Sequence, residues 1–372
     1  MGLKQDFFYL PEDDEIEITL IGTGGGYGEA VVIKFNINEW AIIDSCVNPS
    51  TKEPLTTEYL SRLGVDLSQV KFVLCTHWHD DHIRGLSKVL EKCTSAQFCM
   101  PHVNDRQKFL EYVNLDCAKI KKGSIASFQE FKKCLEVVRG REKQLKRLKA
   151  DLVICQRELE LNCGSKFPIE LYSLSPSESV IEHFDKELSQ LFAAYKLNQK
   201  SIPERSANNK SAVIYFKYGT FTAVLGADLE VSPNSNEGWL DIKNNSEVRN
   251  GKSVIYKIPH HGSSNGYDEE IYTDMFEYNA ILKLSPWNRH TKLPQTEMLQ
   301  KYKEHSDKLY ITSSLAISSK PKTRDKNTNK LVKLFSRKLS EIKFDEGIVR
   351  TRHSLKKPEN IKTETFGSAF RV

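Results

Sequence analysis

Four metal-ligating side chains, His77, His79, Asp81 and His82, fall within the stretch Thr76-His77-Trp78-His79-Asp80-Asp81-His82. Neutral imidazole and carboxylate together suit Zn²⁺, Mn²⁺ or Fe²⁺. The apolar run Val70 to Cys75 before them reads as a buried strand, and Ile83 to Cys93 after them has helical periodicity. A chain turning out of a strand aims alternate residues into one cleft. His77 and His79 would then hold one cation, and Asp81 and His82 a second. Core packing is the competing explanation, but a buried histidine pair needs polar partners that the flanking sequence does not offer.

Two later segments supply further candidates. Thr222-Ala223-Val224-Leu225-Gly226-Ala227-Asp228 is a strand ending in a carboxylate able to bridge two metals, and Val254 to Ser263 is a strand ending in His260 and His261. Alone, each is ordinary, because a strand-terminal aspartate is usually a turn residue. Beside the first cluster they complete a two-metal site. Asp81 or Asp228 would guide the proton. Lys257 and Arg289 follow in the order of these segments and could neutralise a phosphate oxygen.

The elements that must position these residues are mostly strands. Ile16 to Ile21, Ala30 to Phe35, Trp40 to Ile43, Ile169 to Leu174, Ala212 to Tyr218, Thr220 to Gly226, Ser253 to Ile258, Ala280 to Leu284 and Lys308 to Thr312 have strand character. Leu55 to Leu63 and Gln295 to His305 read as helices. The loop Gly22-Thr23-Gly24-Gly25-Gly26-Tyr27-Gly28 imitates a dinucleotide fingerprint, with Asp44 closing the next strands. That reading needs a helix directly after the glycines. Ala30 to Phe35 is β-branched instead, so the loop reads as a hairpin turn beside the metal cleft.

Residues from about 104 to 160 are charged and repeat apolar residues at helical spacing, which predicts a helical insertion. Its basic stretch Arg139 to Lys149 reads as a solvated helix face, with a phosphate-tracking surface as the alternative. Residues from about 318 to 372 read as a peripheral C-terminal extension, beginning with a polar segment at 318–330 and continuing as a helix and two short strands. No internal repeat of fixed period is present, although two strand-rich halves are compatible with the pattern.

The 372 residues carry a net charge of +5, a balance that permits a polyanionic partner without demanding one. No apolar run reaches the ~20 residues that cross a bilayer, and the first residues lack the apolar core of a signal peptide. Cytoplasmic placement without a membrane follows as an expectation. The eight cysteines form no Cys-x-x-Cys pair and read as reduced thiols, several of them core fillers.

His77-Trp78-His79-Asp80-Asp81-His82 resembles the His-x-His-x-Asp-His signature of the metallo-β-lactamase superfamily. Asp44 is similar to that family's first, supporting aspartate, Asp228 to its bridging aspartate, and His260-His261-Gly262-Ser263 to its last motif. The resemblance implies an α/β fold, the αββα sandwich, over residues 1–372 as one domain, with two divalent metal ions (Zn or Mn). Aligning Pro259 to Gly262 on a family variant selects His261 as the ligand and leaves His260 to orient the site or touch substrate. Within the superfamily, Asn208 to Phe216, Leu225 to Asp228, Ile258 to Ser263 and Ser285-Pro286-Trp287-Asn288-Arg289-His290 are ordered as in the hydrolase domain of ComEC-type DNA-uptake proteins and their soluble relatives. That order implies substrate contacts from Lys257, Ser263, Asn288 and Arg289. It covers roughly residues 16 to 102 and 165 to 315.

Two departures matter. The superfamily's additional histidine before the bridging aspartate has only His102 and His183 as candidates, and Asn209 or Ser211 occupies the expected stretch. The first metal would then have a water-completed shell. No membrane channel is present, so the expected activity is that of a stand-alone hydrolase. A phosphodiester in DNA or a nucleotide is the expected substrate. Small esters and lactones form one alternative, and a regulatory subunit binding a protein partner through the helical insertion forms another.

Overall fold

The apolar residues of Glu15–Gly22 (β1) alternate between two cores, which is what a strand covered on both faces requires. Ile16, Ile18 and Leu20 pack between two sheets, whereas Ile21 joins a layer of helices outside. The computed structural model describes residues 7–24, 27–105, 107–111, 113, 125–141, 145–196, 207–289, 291–315 and 346–372.

The remaining strands are Glu29–Asn36 (β2), Glu39–Ile43 (β3), Val70–Leu74 (β4), Gln97–Pro101 (β5), Lys146–Leu148 (β6), Leu152–Glu160 (β7), Lys166–Ser173 (β8), Ile214–Tyr218 (β9), Phe221–Leu225 (β10), Ser253–Lys257 (β11), Phe276–Leu284 (β12), Leu309–Ile311 (β13), Gly347–Ser354 (β14), Ile361–Gly367 (β15) and Phe370–Arg371 (β16). Among the described residues the strands form two eight-stranded sheets, ordered β15-β14-β1-β2-β3-β4-β5-β6 and β16-β13-β12-β11-β10-β9-β8-β7. Each contains an antiparallel meander that turns parallel, from β3 onward in the first sheet and from β10 to β13 in the second.

Helices cover both outer faces. Leu55–Leu63 (α1), Asp80–Ile83 (α2), Leu86–Lys92 (α3) and Ile125–Val138 (α4) pack with Ile42, Val73 and Phe98 of the first sheet. Glu178–Lys196 (α5) joins the same layer through Phe184 and Leu188. Gly238–Asn245 (α6), Glu269–Met275 (α7) and Thr296–His305 (α8) cover Tyr215, Val224 and Leu282 of the second sheet. The order of layers is helix, sheet, sheet, helix, with Ile33, Leu74, Phe216 and Ala223 in the middle. This is the αββα sandwich. Among the described residues, no helix is long and apolar enough to cross a membrane. Cys46, Cys75, Cys93, Cys99, Cys134 and Cys155 are buried free thiols.

Two expectations are corrected. The helical reading of residues 104–160 holds for α4, but Lys146–Leu148 and Leu152–Glu160 are strands that end the first sheet and begin the second. Their alternating charges mark the solvent face of edge strands. The basic stretch is not a free helix face. Arg141 donates to the carbonyls of Leu90, Cys93 and Ala96 at the end of α3, Lys146 donates to Ile154 O at 2.7 Å, and Lys149 pairs with Glu178 at 2.7 Å. The C-terminal residues are not peripheral either. β14 is buried along its length and pairs with β1 from Glu15↔Ser354 to Gly22↔Gly347. The expected polar segment at 318–330 and the helix after it lie outside the described residues.

Candidate metal centre

Parallel strands of an open α/β sheet present their carboxyl ends, with the loops that follow, to one side, where ligands bind. Here β3 delivers Asp44, β4 delivers Thr76 to His82, β10 delivers Asp228, β11 delivers His260 and His261, and β12 delivers Ser285 to Arg289. Main-chain bonds lock these loops together: Asp44 N to Leu74 O at 2.8 Å, Ser45 N to His82 O at 2.7 Å, and Ala212 N to Thr76 O at 2.9 Å. Trp78 anchors the histidine loop in the helical layer, 5.8 Å from the Phe184 ring and 6.0 Å from Phe131.

Two groups of ligand atoms result. Asp81, His82, Asp228 and His261 form one, and His77, His79 and Asp228 form the other. Asp228 belongs to both, as a bridging carboxylate must. The predicted ligands therefore converge, and of the two adjacent histidines it is His261 that joins them.

The buried polar atoms show that this set fits metal ions. Asp44 Oδ1 accepts from Thr76 N at 2.7 Å, and Asp44 Oδ2 accepts from Thr76 Oγ1 at 2.6 Å and His82 Nδ1 at 2.8 Å. Because the Thr76 hydroxyl donates to Asp44, it accepts from His77 Nδ1 at 3.1 Å. His261 Nδ1 donates to Ser285 O at 3.0 Å. Each of these three rings thus has its proton assigned to Nδ1 and its Nε2 turned inward, the orientation that outer partners impose on metal-binding histidines. His77 Nε2, His82 Nε2 and Asp228 Oδ1 are buried without a hydrogen-bond partner, although His82 Nε2 lies only 3.2 Å from Asp228 Oδ1. Orphaned atoms facing one another are costly in a finished core, and a divalent cation in each group would satisfy them.

The electrostatics agree. Burial works to raise the Asp81 and Asp228 carboxyls, yet the His82 and His261 charges hold both well below the usual carboxylate range. Burial opposes charge on His261, but Asp228 and Asp81 lift it to about 9. Burial, reinforced by His82 and His79, pushes His77 far down. Without metal, protons on imidazoles balance the carboxylates; metal ions displace them on binding.

The remaining predicted residues fall differently. Lys257 is 2% exposed and lies beneath the centre, paired with Glu29 and donating to Ala227 O at 2.8 Å, so it cannot meet a substrate. Ser263 accepts from Asn265 N at 3.4 Å as the cap of a short turn. Asn288 is buried and donates to Ser314 O at 3.1 Å. Arg289 stacks on the ring of Tyr27, 3.0 Å from its centroid, and Tyr27 lines the cleft. His260 lines the cleft, its Nδ1 3.2 Å from Glu230 Oε1 and its Nε2 3.1 Å from Asn208 Nδ2. His102 bonds Asn104 and His183 pairs with Glu237, so neither enters a ligand group.

The cleft above the ligands has a volume of about 420 Å³ and is walled by Tyr27, Trp78, Phe128 and Trp287. β1 and β2 pair as the antiparallel hairpin expected, and Tyr27, just before β2, lines this wall. Sequence reasoning missed Glu29 and Glu230, and gave Tyr27, Asn208 and Trp287 no role of their own although it singled out the segments that contain them. The position of Glu29 directly after the glycine loop was the available signal.

Residues 23–106 match the model of the Metallo-beta-lactamase superfamily. No curated protein matches the sequence. The chain is similar to a metallo-beta-lactamase from Cronobacter sakazakii, at 12% identity and a TM-score of 0.30 over 58% of this chain and 63% of that one. A subclass B3 metallo-beta-lactamase from a soil metagenome library gives 12% identity and 0.29 over the same shares. A putative metallo-beta-lactamase from Thermotoga maritima gives 17% and 0.26 over 44% of this chain and 75% of that one. The chain thus spans about 63% of the length of the first two.

Proposed function

We propose that the chain is a two-metal hydrolase whose substrate is a phosphodiester, a single-stranded DNA end or a small nucleotide. The observation that carries the two-metal reading is the sharing of the buried Asp228 by two ligand groups in which His77, His82 and His261 turn Nε2 inward. When bound, two divalent ions in such a site activate water and stabilise the charge that develops on the attacked group. The group of His77, His79 and Asp228 has three protein ligands, which leaves room for water or substrate and suits Mn²⁺ or Zn²⁺.

Three features support the substrate class. The order of the segments that carry Asn208, Asp228, His260-His261 and Asn288-Arg289 resembles that of the ComEC-type hydrolase domains. A cleft of about 420 Å³ suits one nucleotide unit. Tyr27 and Trp287, with ring centroids 5.3 Å apart, offer a stacking wall, and the Arg289 guanidinium above Tyr27 offers a charge for a phosphate oxygen. His260, positioned by Glu230 and Asn208, lines the same cleft as a hydrogen-bonding group for the leaving oxygen.

The test is turnover of bis(p-nitrophenyl) phosphate, labelled single- and double-stranded DNA, and an aromatic lactone, by protein loaded with Mn²⁺ or Zn²⁺, beside Asp228→Asn. Phosphodiester cleavage lost in the variant is expected. Lactone turnover without phosphodiester cleavage would replace the substrate class, and metal binding without any turnover would favour the regulatory subunit.

A further inference from the structure

Beneath the metal ligands lies a second buried charge pair. Glu29 and Lys257 are 3% and 2% exposed, and the Lys257 ammonium is in contact with Glu29 Oε1. The same ammonium donates to Ala227 O at 2.8 Å and lies 4.0 Å from Asp228 Oδ1. Ala227 immediately precedes the bridging carboxylate and has a left-handed backbone, φ 45, which is strained for a residue with a Cβ. Its carbonyl accepts a second bond, from His260 N at 3.1 Å. Two donors therefore hold this peptide in the turn that sends Asp228 into the cleft. Glu29 Oε2 has no hydrogen-bond partner and lies 3.9 Å from His261 Nδ1.

We infer that Glu29 and Lys257 form a positioning pair for the metal centre: Lys257 clamps the Ala227 carbonyl so that Asp228 bridges, and Glu29 holds Lys257 away from Asp228. A lone ammonium at 4.0 Å from Asp228 Oδ1 would turn to that oxygen and compete with metal for it. Glu29 supplies the competing anion that prevents this. The pair is buried, and apolar residues of similar volume often stabilise a core as well or better, so orientation rather than stability is the role the pair fits.

This inference rests on the two-metal reading, and the experiment separates the two. Dissociation constants for Mn²⁺ and Zn²⁺ are measured by competition with a chromophoric chelator, with folding checked by circular dichroism. Native protein that takes up no metal overturns the two-metal reading itself. With metal bound by the native protein, Lys257→Met is expected to weaken both sites by ~10–100-fold, the effect typical of losing an outer partner. Glu29→Gln, which leaves the ammonium free to compete at Asp228, weakens them more than Lys257→Met does, and adding Lys257→Met to Glu29→Gln restores affinity to the level of Lys257→Met alone. Should Lys257→Met not fold, Glu29→Gln carries the measurement. A merely structural pair lowers the melting temperature of the metal-free variants and leaves their dissociation constants within about threefold of native. That result would overturn the inference.

Discussion

Asp44→Asn separates folding from metal binding at one atom. The Asp44 backbone is left-handed, φ 61, a conformation asparagine shares with aspartate. The asparagine side chain would keep an oxygen for Thr76 N, which Asp44 Oδ1 now accepts at 2.7 Å, so the loop stays in place. Its amide nitrogen replaces the oxygen that accepts from His82 Nδ1 at 2.8 Å. For His82 Nε2 to ligate, the proton must stay on Nδ1 and face that amide donor. One buried unsatisfied donor costs ~1–3 kcal/mol, and at 1.4 kcal/mol per decade this is a loss of ~5–150-fold in affinity. The loss falls most directly on the group of Asp81, His82, Asp228 and His261, and it reaches His77 as well, because the same Asp44 Oδ2 accepts from the Thr76 hydroxyl that orients His77. Chelator competition resolving the two equivalents reads the loss, and ¹⁵N chemical shifts of His82 report its tautomer. If Asp44→Asn binds both equivalents as native protein does, the orientation argued from Asp44 is wrong.

Three further outcomes are expected. His79 belongs to one ligand group and Asp228 to both, so elemental analysis should find about one metal ion retained in His79→Ala and none in Asp228→Asn. Burial pushes the Lys283 ammonium, which donates to Ile18 O and Val349 O between the sheets, from 10.5 down to about 7. Between pH 7 and 10.5 the unfolded chain therefore holds the extra proton, and stability rises with pH. Urea unfolding of metal-free protein should show native stability increasing relative to Lys283→Met across that window, and a constant difference would refute the burial effect. A Cβ on Gly226 would sit 2.9 Å from Lys257 O and 3.1 Å from both Pro259 and Trp239. Gly226→Ala should cost ~1–3 kcal/mol through overpacking, seen as a lower urea midpoint at unchanged slope.

What the sequence alone determined is local. His77, His79, Asp81 and His82 are legible because a strand end and one helical turn bring them together without any long-range contact. Asp228 is legible only beside that first cluster, and His261 only through the resemblance of Pro259 to Gly262 to a family variant. The β1–β2 hairpin is legible because β-branched residues follow the glycine loop. Only the tertiary structure decided the rest. Lys257 looks like a phosphate contact in sequence, and becomes a buried clamp because Glu29, far away in the chain, lies next to it. Lys146–Leu148 and Leu152–Glu160 look helical because edge strands expose charge in patterns that also suit a helix face. β14 looks peripheral because it carries Arg350 and Arg352, yet both are buried, with Glu364 and Glu17 as counter-charges and the carbonyls of Phe7 and Tyr9 as acceptors. A burial of charge is decided by partners distant in sequence, so it is written in the fold and not in the run of residues that contains it.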